Sequence, residues 1–375
     1  MRRTVVLAAT AALSAGLLSG ASAGEAGPPR HPAVFETVFA SPLGLEGLTT
    51  DGHGNLYTPA RGADPCPVYR VAASGGPAAV VGTIPAPCNP AGLAFDRRGR
   101  LYVANADTVV SFVPDAANPP AATVFTSGVP GANGLAFDRD GALWISDGGT
   151  GQGRVWRAGA NGVAVEQFRV QPMVSDVLAG GVGRDVRGLP PGTVTIKPNG
   201  RTAADTLGSQ HIVANGLAFT ADGTLLIADT ARGALWRVPM DRAGNPRAAT
   251  GCDAAFPANT LCLDQLEVQH PYLEGADGIV LDRAGGVWTA VNERNAIVVA
   301  RRDGRVSEYF RNPADPASKL RDGGPLEFPT SPVLLPDGRL CVTNSDVNRR
   351  DNAPNTAGEA TPSGAVRAKV SCVKP

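Results

Sequence analysis

The sequence lacks the features that mark several large classes of proteins. Lysine plus arginine and aspartate plus glutamate number 34 each among 375 residues, so the formal net charge is zero, and no long run of one sign occurs. We therefore expect no nucleic-acid partner, because such binding rests on an excess of positive charge. After the N-terminal segment no apolar run approaches the ~18 residues of a membrane span, and no cysteine–histidine cluster has the spacing of a zinc site.

The N-terminal segment has the three parts of a secretory signal peptide. Met1-Arg2-Arg3 is basic, residues 4–18 are mostly alanine, valine and leucine, and Ala21-Ser22-Ala23 supplies small residues for cleavage. We predict cleavage near Ala23 and export to the periplasm or the exterior. As a membrane span this segment is too short, so the mature protein is expected to have none.

The six cysteines all follow this segment. An even number in an exported chain favours disulfides, and closeness in the sequence suggests the pairs Cys66–Cys88, Cys252–Cys262 and Cys341–Cys372. Other pairings remain open on sequence alone, and a thiol nucleophile is the alternative interpretation of any one cysteine.

Glycine (46) and proline (32) are abundant, which favours many short strands and turns over helices. A sixteen-residue window recurs six times, beginning at Leu45, Pro90, Ala132, Ala214, Ala276 and Pro329. Each copy is typical of a β-hairpin whose turn contains a glycine, such as Gly141 in the third copy. Two further strand-like runs follow most copies.

Four strands per repeat and six repeats predict an all-β, six-bladed β-propeller with four-stranded blades. The signal peptide then covers residues 1–23, a short lead 24–33, and one propeller domain 34–375 with an insertion at about 170–212. A degenerate seventh blade within the insertion is the alternative. Residues 35–39 are predicted to close the ring beside a C-terminal strand at 366–373, which removes the open sheet edges. Residues 351–364 are predicted to be a solvent-exposed loop.

The second position of the window varies while its surroundings repeat. It contains Glu46, Ala91, Asn133, Asn215, Asp277 and Thr330, at the predicted start of the innermost strand of each blade. Asparagine or aspartate before glycine is common in turns, so one interpretation of the column is a set of turn residues with no chemical role. Four of these side chains carry a carboxylate or amide oxygen, and four such oxygen-bearing residues around one channel mouth favour a site for a hard divalent cation, with Ca²⁺ the first choice over Mg²⁺, Mn²⁺ or Zn²⁺.

These windows and the four oxygen-bearing residues resemble the gluconolactonase, regucalcin and luciferin-regenerating enzyme family of six-bladed propellers. Diisopropylfluorophosphatase and the paraoxonases share the architecture, and Asn133 and Asn215 are similar to the two asparagines of those enzymes. The resemblance covers residue 34 to the C-terminus except the insertion, and it implies a divalent ion in the central channel. The repeat alone is shared with non-catalytic propellers of the NHL type, so it specifies the fold better than the function.

By this resemblance Glu46, Asn133, Asn215 and Asp277 match metal ligands. Asp277 also matches an aspartate often assigned the role of base or nucleophile, and Asn133 matches an asparagine that binds substrate in some members. In the last blade, Thr330 and Ser331 offer hydroxyls that contact substrate or merely end a strand.

Outside the window column, two loop histidines are candidates for a base. His211 and His270 precede Asn215 and Asp277 by four and seven residues, whereas His53 lies in a hairpin turn and is expected at the surface. A lone loop histidine is usually surface, which is the alternative for both. The polar residues that end the windows are predicted to anchor backbone: Asn105, Asp147, Asp229 and Asn344.

The leading hypothesis is therefore a monomeric, divalent-metal-dependent hydrolase of small molecules, a lactonase or related esterase in which the ion acts as a Lewis acid. The rival is an exported, non-catalytic propeller that serves as a binding or scaffold module. A quinone-dependent sugar dehydrogenase on a similar propeller is a third hypothesis, but no arginine and histidine set around the channel can be assigned to that cofactor. Whether the metal is catalytic or structural stays open at this stage.

Overall fold

Each of the six repeat windows folds into an antiparallel hairpin that forms the inner half of one blade. The computed structural model describes residues 33–171, 210, 213–314, 316, 321, 323–347 and 368–375. The predicted signal peptide, most of the predicted lead and insertion, and the predicted loop at 351–364 lie outside these described residues.

The first strand in the chain, β1 (Glu36–Ser41), belongs to the last blade. In blade one the inner strand is divided into β2 (Gly44–Leu45) and β3 (Thr49–Thr50). The other strands of this blade are β4 (Asn55–Arg61), β5 (Cys66–Ala72) and β6 (Ala79–Ile84). Blade two contains β7 (Pro90–Phe95), β8 (Leu101–Asn105), β9 (Thr108–Phe112) and β10 (Thr123–Ser127). Blade three contains β11 (Ala132–Phe137), β12 (Leu143–Asp147), β13 (Arg154–Ala158) and β14 (Ala164–Arg169).

The remaining blades repeat this order from the channel outward. Blade four contains β15 (Leu217–Phe219), β16 (Leu225–Asp229), β17 (Ala234–Val238) and β18 (Leu266–Gln269). Blade five contains β19 (Ala276–Leu281), β20 (Val287–Val291), β21 (Ala296–Ala300) and β22 (Val306–Arg311). Blade six contains β23 (Pro329–Leu334), β24 (Leu340–Asn344), β25 (Ala368–Val373) and then β1. Three 3₁₀ turns are the helical elements of the described residues: Leu263–Gln265, Pro271–Leu273 and Asn292–Arg294.

The six-bladed, all-β architecture predicted from the repeat is therefore confirmed. The closing strand is confirmed as well, because β1 pairs with β25 in the register Glu36 with Cys372 and Ser41 with Ala368. The hairpin glycines also behave as predicted: Gly141, for example, has φ +85°, a conformation that favours glycine in a tight turn.

The core lies between the blades rather than within any one of them. Six clusters of buried apolar side chains occupy the six blade interfaces, and each takes residues from two consecutive blades. Val81 of blade one and Phe112 of blade two, for example, share one cluster. A flat four-stranded blade has two faces to bury, so the blades are stable only as a ring.

The three disulfides join the pairs predicted from sequence proximity: Cys66–Cys88, Cys252–Cys262 and Cys341–Cys372. The last pair crosslinks β24 to β25 beside the closing strand. No helix in the described part of the chain combines the length and hydropathy needed to cross a membrane.

Candidate metal and substrate site

The oxygen-bearing residues of the variable column lie at one end of the innermost strands, around the mouth of the channel. Asn133 and Asp277 are the second residues of β11 and β19, and Asn215 directly precedes Gly216 and β15. Glu46 lies between the two short inner strands of blade one. Asn215 and Asp277 are buried, whereas Asn133 and Glu46 are partly exposed.

A β-bulge recurs at this column. The antiparallel register shifts between Ala132 and Leu135 in blade three and between Ala276 and Ile279 in blade five, and the same break occurs in blades two and six. A bulge breaks the regular alternation of side chains and turns a residue away from the sheet face. This local irregularity directs the second window residue toward the channel.

The glycine that follows each site residue brings neighbouring blades into close contact. A methyl group added at Gly216 would lie 2.5 Å from the carbonyl oxygen of Asp277, and one at Gly92 would lie 2.5 Å from that of Asn133. The Gly216 amide also donates a hydrogen bond of 3.1 Å to the Asp277 carbonyl. The site residues of successive blades are therefore spaced by direct backbone contact, which leaves no room for a side chain at the glycine.

The two asparagines form a chain of hydrogen bonds. Asn133 Nδ2 donates to Asn215 Oδ1 at 3.0 Å, and Asn215 Nδ2 donates to Thr230 Oγ1 at 3.0 Å. The Thr230 hydroxyl donates to the carbonyl of Ala276 at 2.6 Å. This chain runs from blade three to blade five and fixes the orientation of both amides.

Asp277 carries a carboxyl group in an environment that opposes its ionisation. Burial raises the pKa of Asp277 well above its ordinary value, and the negative charge of Glu46 raises it further. Asn292 Nδ2 donates to Asp277 Oδ2 at 2.8 Å and acts in the opposite direction, as does the positive charge of Arg61. A cation between the two carboxylates would remove their repulsion.

Glu46 has polar partners from two blades. Arg61 Nη1 lies 3.4 Å from Glu46 Oε2, and the Ser345 hydroxyl lies 3.0 Å from the same oxygen. The Glu46 carbonyl accepts hydrogen bonds from the hydroxyls of Thr330 and Thr343 in blade six.

Several residues that contact the site lie in a second column, just outside the repeated window. The position directly after each window contains Arg61, Ala106, Gly148, Thr230, Asn292 and Ser345. In blades one, four and five this residue contacts the site residue of its own blade. Gly148 leaves space for Asn133, since a methyl group there would collide with the Asn133 amide. This column lies directly beyond the repeated window, and its six members share no residue type.

The mouth opens into a cavity of about 320 Å³, whose lining includes Glu46, Arg61, Asn133 and Phe328. Gln210 also lines it, and its Nε2 donates to Asn292 Oδ1 at 2.8 Å. The structure does not place Thr330 and Ser331 with these residues. The Thr330 side chain is buried on the Glu46 carbonyl, and Ser331 lines a separate cavity at the opposite end of the channel.

The histidines contribute little to the described site. The His270 ring accepts a hydrogen bond of 3.1 Å from the Tyr272 amide and stacks edge-on against the Tyr272 ring, so it caps a 3₁₀ turn. His53 is exposed in its hairpin turn, as predicted, and His211 lies outside the described residues. The residues that end the windows anchor backbone as predicted. Asn105 accepts from the Asn89 amide at 2.7 Å, and Asn344 accepts from the Glu327 amide at 2.9 Å.

This donor set fits a hard divalent cation. Two carboxylates and two amides present oxygen atoms, the ligands that Ca²⁺ prefers. Among the described residues no group of three or more histidine, cysteine, aspartate or glutamate side chains could hold a metal ion, so amide oxygens are needed to complete any site. The repulsion between the like charges of Glu46 and Asp277 is the observation that favours an ion there.

The comparisons with known proteins agree with this architecture. Residues 57–325 match the model of a protein family described as the SMP-30/gluconolactonase/LRE-like region. No curated protein matches the chain by sequence.

Several solved structures are similar in fold. A luciferin-regenerating enzyme superposes with a TM-score of 0.57 at 14% identity, covering 92% of this chain and 96% of that one. The calcium-binding protein regucalcin from Agrobacterium tumefaciens gives 0.55 at 20% identity, covering 88% and 91%. An aldose sugar dehydrogenase from Streptomyces coelicolor, solved with bound PQQ, gives 0.55 at 16% identity, covering 92% and 99%. At these identities the likeness concerns the fold alone.

Proposed function

The chain belongs to the SMP-30/gluconolactonase/LRE-like family, and from this membership we propose that it is a calcium-dependent lactonase acting at the mouth of the channel. The family includes gluconolactonases and related hydrolases, which makes hydrolysis of small molecules the starting point. The observation that carries the proposal is the buried Asp277 carboxyl, held close to the charge of Glu46 and to the amide of Asn215, which accepts a hydrogen bond from Asn133.

Glu46, Asn133, Asn215 and Asp277 are the residues that would hold the ion. A bound Ca²⁺ ion would supply Lewis-acid stabilisation of the negative charge that develops on a lactone carbonyl oxygen. Asn292 donates a hydrogen bond to one oxygen of Asp277 and orients this carboxyl group. The Thr230 hydroxyl orients Asn215, which in turn orients Asn133 at the cavity wall.

Asp277 is the proposed general base or nucleophile. Its carboxylate, oriented by Asn292, could accept a proton from an attacking water. The partly exposed Asn133 side chain lines the cavity and is proposed to orient the substrate. Thr330 and Ser331 remain predicted substrate contacts, and their positions give this role no support.

The three disulfides support a further part of the proposal, that the protein functions in an oxidising compartment after export. The substrate is a small molecule, because the cavity of about 320 Å³ lies at the lower end of the ~300–1,000 Å³ range of ligand pockets.

The test compares wild type with Asp277→Asn on lactones, aryl esters and phosphotriesters, with Ca²⁺, Mg²⁺, Mn²⁺, Zn²⁺ or chelator. We expect Ca²⁺-dependent lactone turnover in wild type and a loss of ~10²- to 10⁴-fold in the variant. The Ca²⁺-induced rise in melting temperature should also disappear, while the metal-free variant melts no lower than wild type. Asp303→Asn, which changes an exposed carboxylate on a distant hairpin, is the matched control.

Metal-independent turnover that Asp277→Asn leaves unchanged would falsify the proposal. Ca²⁺ binding without hydrolysis of any substrate in the panel would instead favour a non-catalytic binding module.

A further inference from the structure

Arg61 is the one cationic side chain among the described residues that line the cavity. Its Nε donates to the Pro90 carbonyl at 2.6 Å, which fixes the guanidinium at the wall between blades one and two. Its side chain is 36% exposed, against 15% for that of Glu46. In the other five blades the corresponding residue is uncharged: Ala106, Gly148, Thr230, Asn292 and Ser345.

The contact with Glu46 does not occupy the guanidinium fully. Nη1 lies 3.4 Å from Glu46 Oε2, longer than the ~2.7–2.9 Å of a charge-assisted hydrogen bond. A guanidinium has five N–H donors in a planar fork, so one bond to a carbonyl and one long ion pair leave donors that face the cavity.

The charges of the site point to what those donors would bind. Resting on the proposed function, a divalent cation would balance the two carboxylates of Glu46 and Asp277, and Arg61 would then leave one positive charge uncompensated at the cavity wall. An anionic group on the substrate would neutralise it, and a carboxylate matches the geometry of the guanidinium fork.

We propose that Arg61 selects substrates that carry a free carboxylate, so that the preferred lactones are single-ring lactones of sugar diacids rather than neutral lactones. The residue acts in recognition, through contact with a substituent away from the scissile ester bond. The cavity volume of about 320 Å³ suits one ring and excludes a long chain.

Two pairs of probes test this selection. The first pair is glucarolactone, which keeps a carboxylate, and gluconolactone, which is neutral; both are assayed for hydrolysis with saturating Ca²⁺. The second pair cannot be hydrolysed: tetrahydropyran-2-carboxylate and tetrahydropyran-2-methanol, whose binding is measured by calorimetry. The variants are Arg61→Gln and Arg61→Lys, with Arg98→Gln, an exposed arginine of a hairpin turn, as the matched control.

Wild type and Arg98→Gln should favour the member of each pair that carries the carboxylate by about 10- to 100-fold, as expected for a hydrogen-bonded charge pair. The preference is measured in KM for the lactones and in Kd for the probes that cannot be hydrolysed. Arg61→Gln should lose this preference, measured as the ratio between the two members of each pair within one variant, so that any common change passed on through the Glu46 contact cancels. Arg61→Lys should retain part of it, which separates a charge effect from misfolding. Equal preference in wild type and Arg61→Gln, or none in wild type, overturns the inference.

The two proposals fail in different ways. If both lactones are hydrolysed with equal efficiency and Arg61→Gln does not change this, the proposed selection by Arg61 is wrong and the proposed lactonase activity is supported. If the carboxylate probe binds in an Arg61-dependent way but neither lactone is hydrolysed, the proposed lactonase activity is wrong and Arg61 belongs to an anion-selective binding site.

Discussion

Asp277 shows how one residue acquires its chemistry from its surroundings. Burial and the neighbouring charge of Glu46 both favour the protonated carboxyl, whereas Asn292 and Arg61 favour the carboxylate. A proton and the proposed divalent cation would therefore compete for the same group.

This competition predicts a pH dependence of both stability and Ca²⁺ binding. Because the pKa of Asp277 is raised in the metal-free fold, the free energy of unfolding should fall as the pH rises from the ordinary carboxyl range through that raised value. Over the same range Ca²⁺ affinity should increase, since the proton is lost. Melting temperatures with and without Ca²⁺, from about pH 4 to pH 8, measure both effects.

In Asp277→Asn the pH-dependent part of the metal-free stability should disappear. A Ca²⁺-induced shift in melting temperature that is the same at every pH would contradict the competition.

The sequence predicted the four oxygen-bearing side chains because they share a column of a repeat, and the ring brings such a column together. It did not indicate which of them lines the cavity, because the burial of each side chain depends on partners in neighbouring blades that are distant in the sequence. Arg61 and Asn292 were missed for a simpler reason. Each follows directly on the repeated segment, where the six copies have no residue type in common.

At the scale of the strand, the bulge and the following glycine act together. The bulge turns the site residue into the channel, and the glycine lets the next blade approach until its site carbonyl touches the backbone. The hairpins, their glycine turns and the outer strands were predictable from alternating apolar residues. The bulges were not, because they leave no mark in the residue types.

Gly216→Ala tests this arrangement. The added methyl would lie 2.5 Å from the Asp277 carbonyl and 2.8 Å from Gly278 Cα, so blade five must move away from blade four. We expect a loss of about 1–3 kcal/mol in the free energy of unfolding and a Ca²⁺ affinity lowered at least tenfold, because Asp277 moves with its carbonyl. Urea unfolding and calorimetric titration measure the two quantities.

Gly323→Ala is the matched control, because a methyl group there meets no atom of the described residues within 4 Å. Its stability and Ca²⁺ affinity should stay near those of wild type. A Gly216→Ala protein that loses stability but binds Ca²⁺ normally would show that the blade contact does not position Asp277.

At the scale of the whole molecule, the ring depends on its closure. Blade six takes three strands from one end of the domain and β1 from the other, and Cys341–Cys372 joins its two central strands. Six repeats predicted six blades, because a propeller adds one blade per repeat. The insertion at about 170–212 contains no copy of the window, so periodicity offers no prediction of its structure.

Replacing Cys341 and Cys372 together by serine should lower the free energy of unfolding by about 3–4 kcal/mol, because the disulfide restricts a loop with a sequence separation of 31 in the unfolded chain. The pair Cys252–Cys262 spans a separation of 10 within the long connection of blade four, so its removal should cost about 2–3 kcal/mol. Denaturant unfolding compares the two variants. A larger loss on removal of the Cys252–Cys262 pair would contradict the expectation that loop length determines the two losses.

The pairing of β1 with β25 has a consequence for how the gene can be rearranged. Because Glu36 lies opposite Cys372, the two ends of the described domain are neighbours in one sheet. A short linker could join them, and new termini could be opened in an exposed hairpin turn of another blade, such as that at Gly99. Such a circular permutant would keep every blade contact and the channel residues in place. The order in which the blades leave the ribosome is thus separable from the geometry of the site.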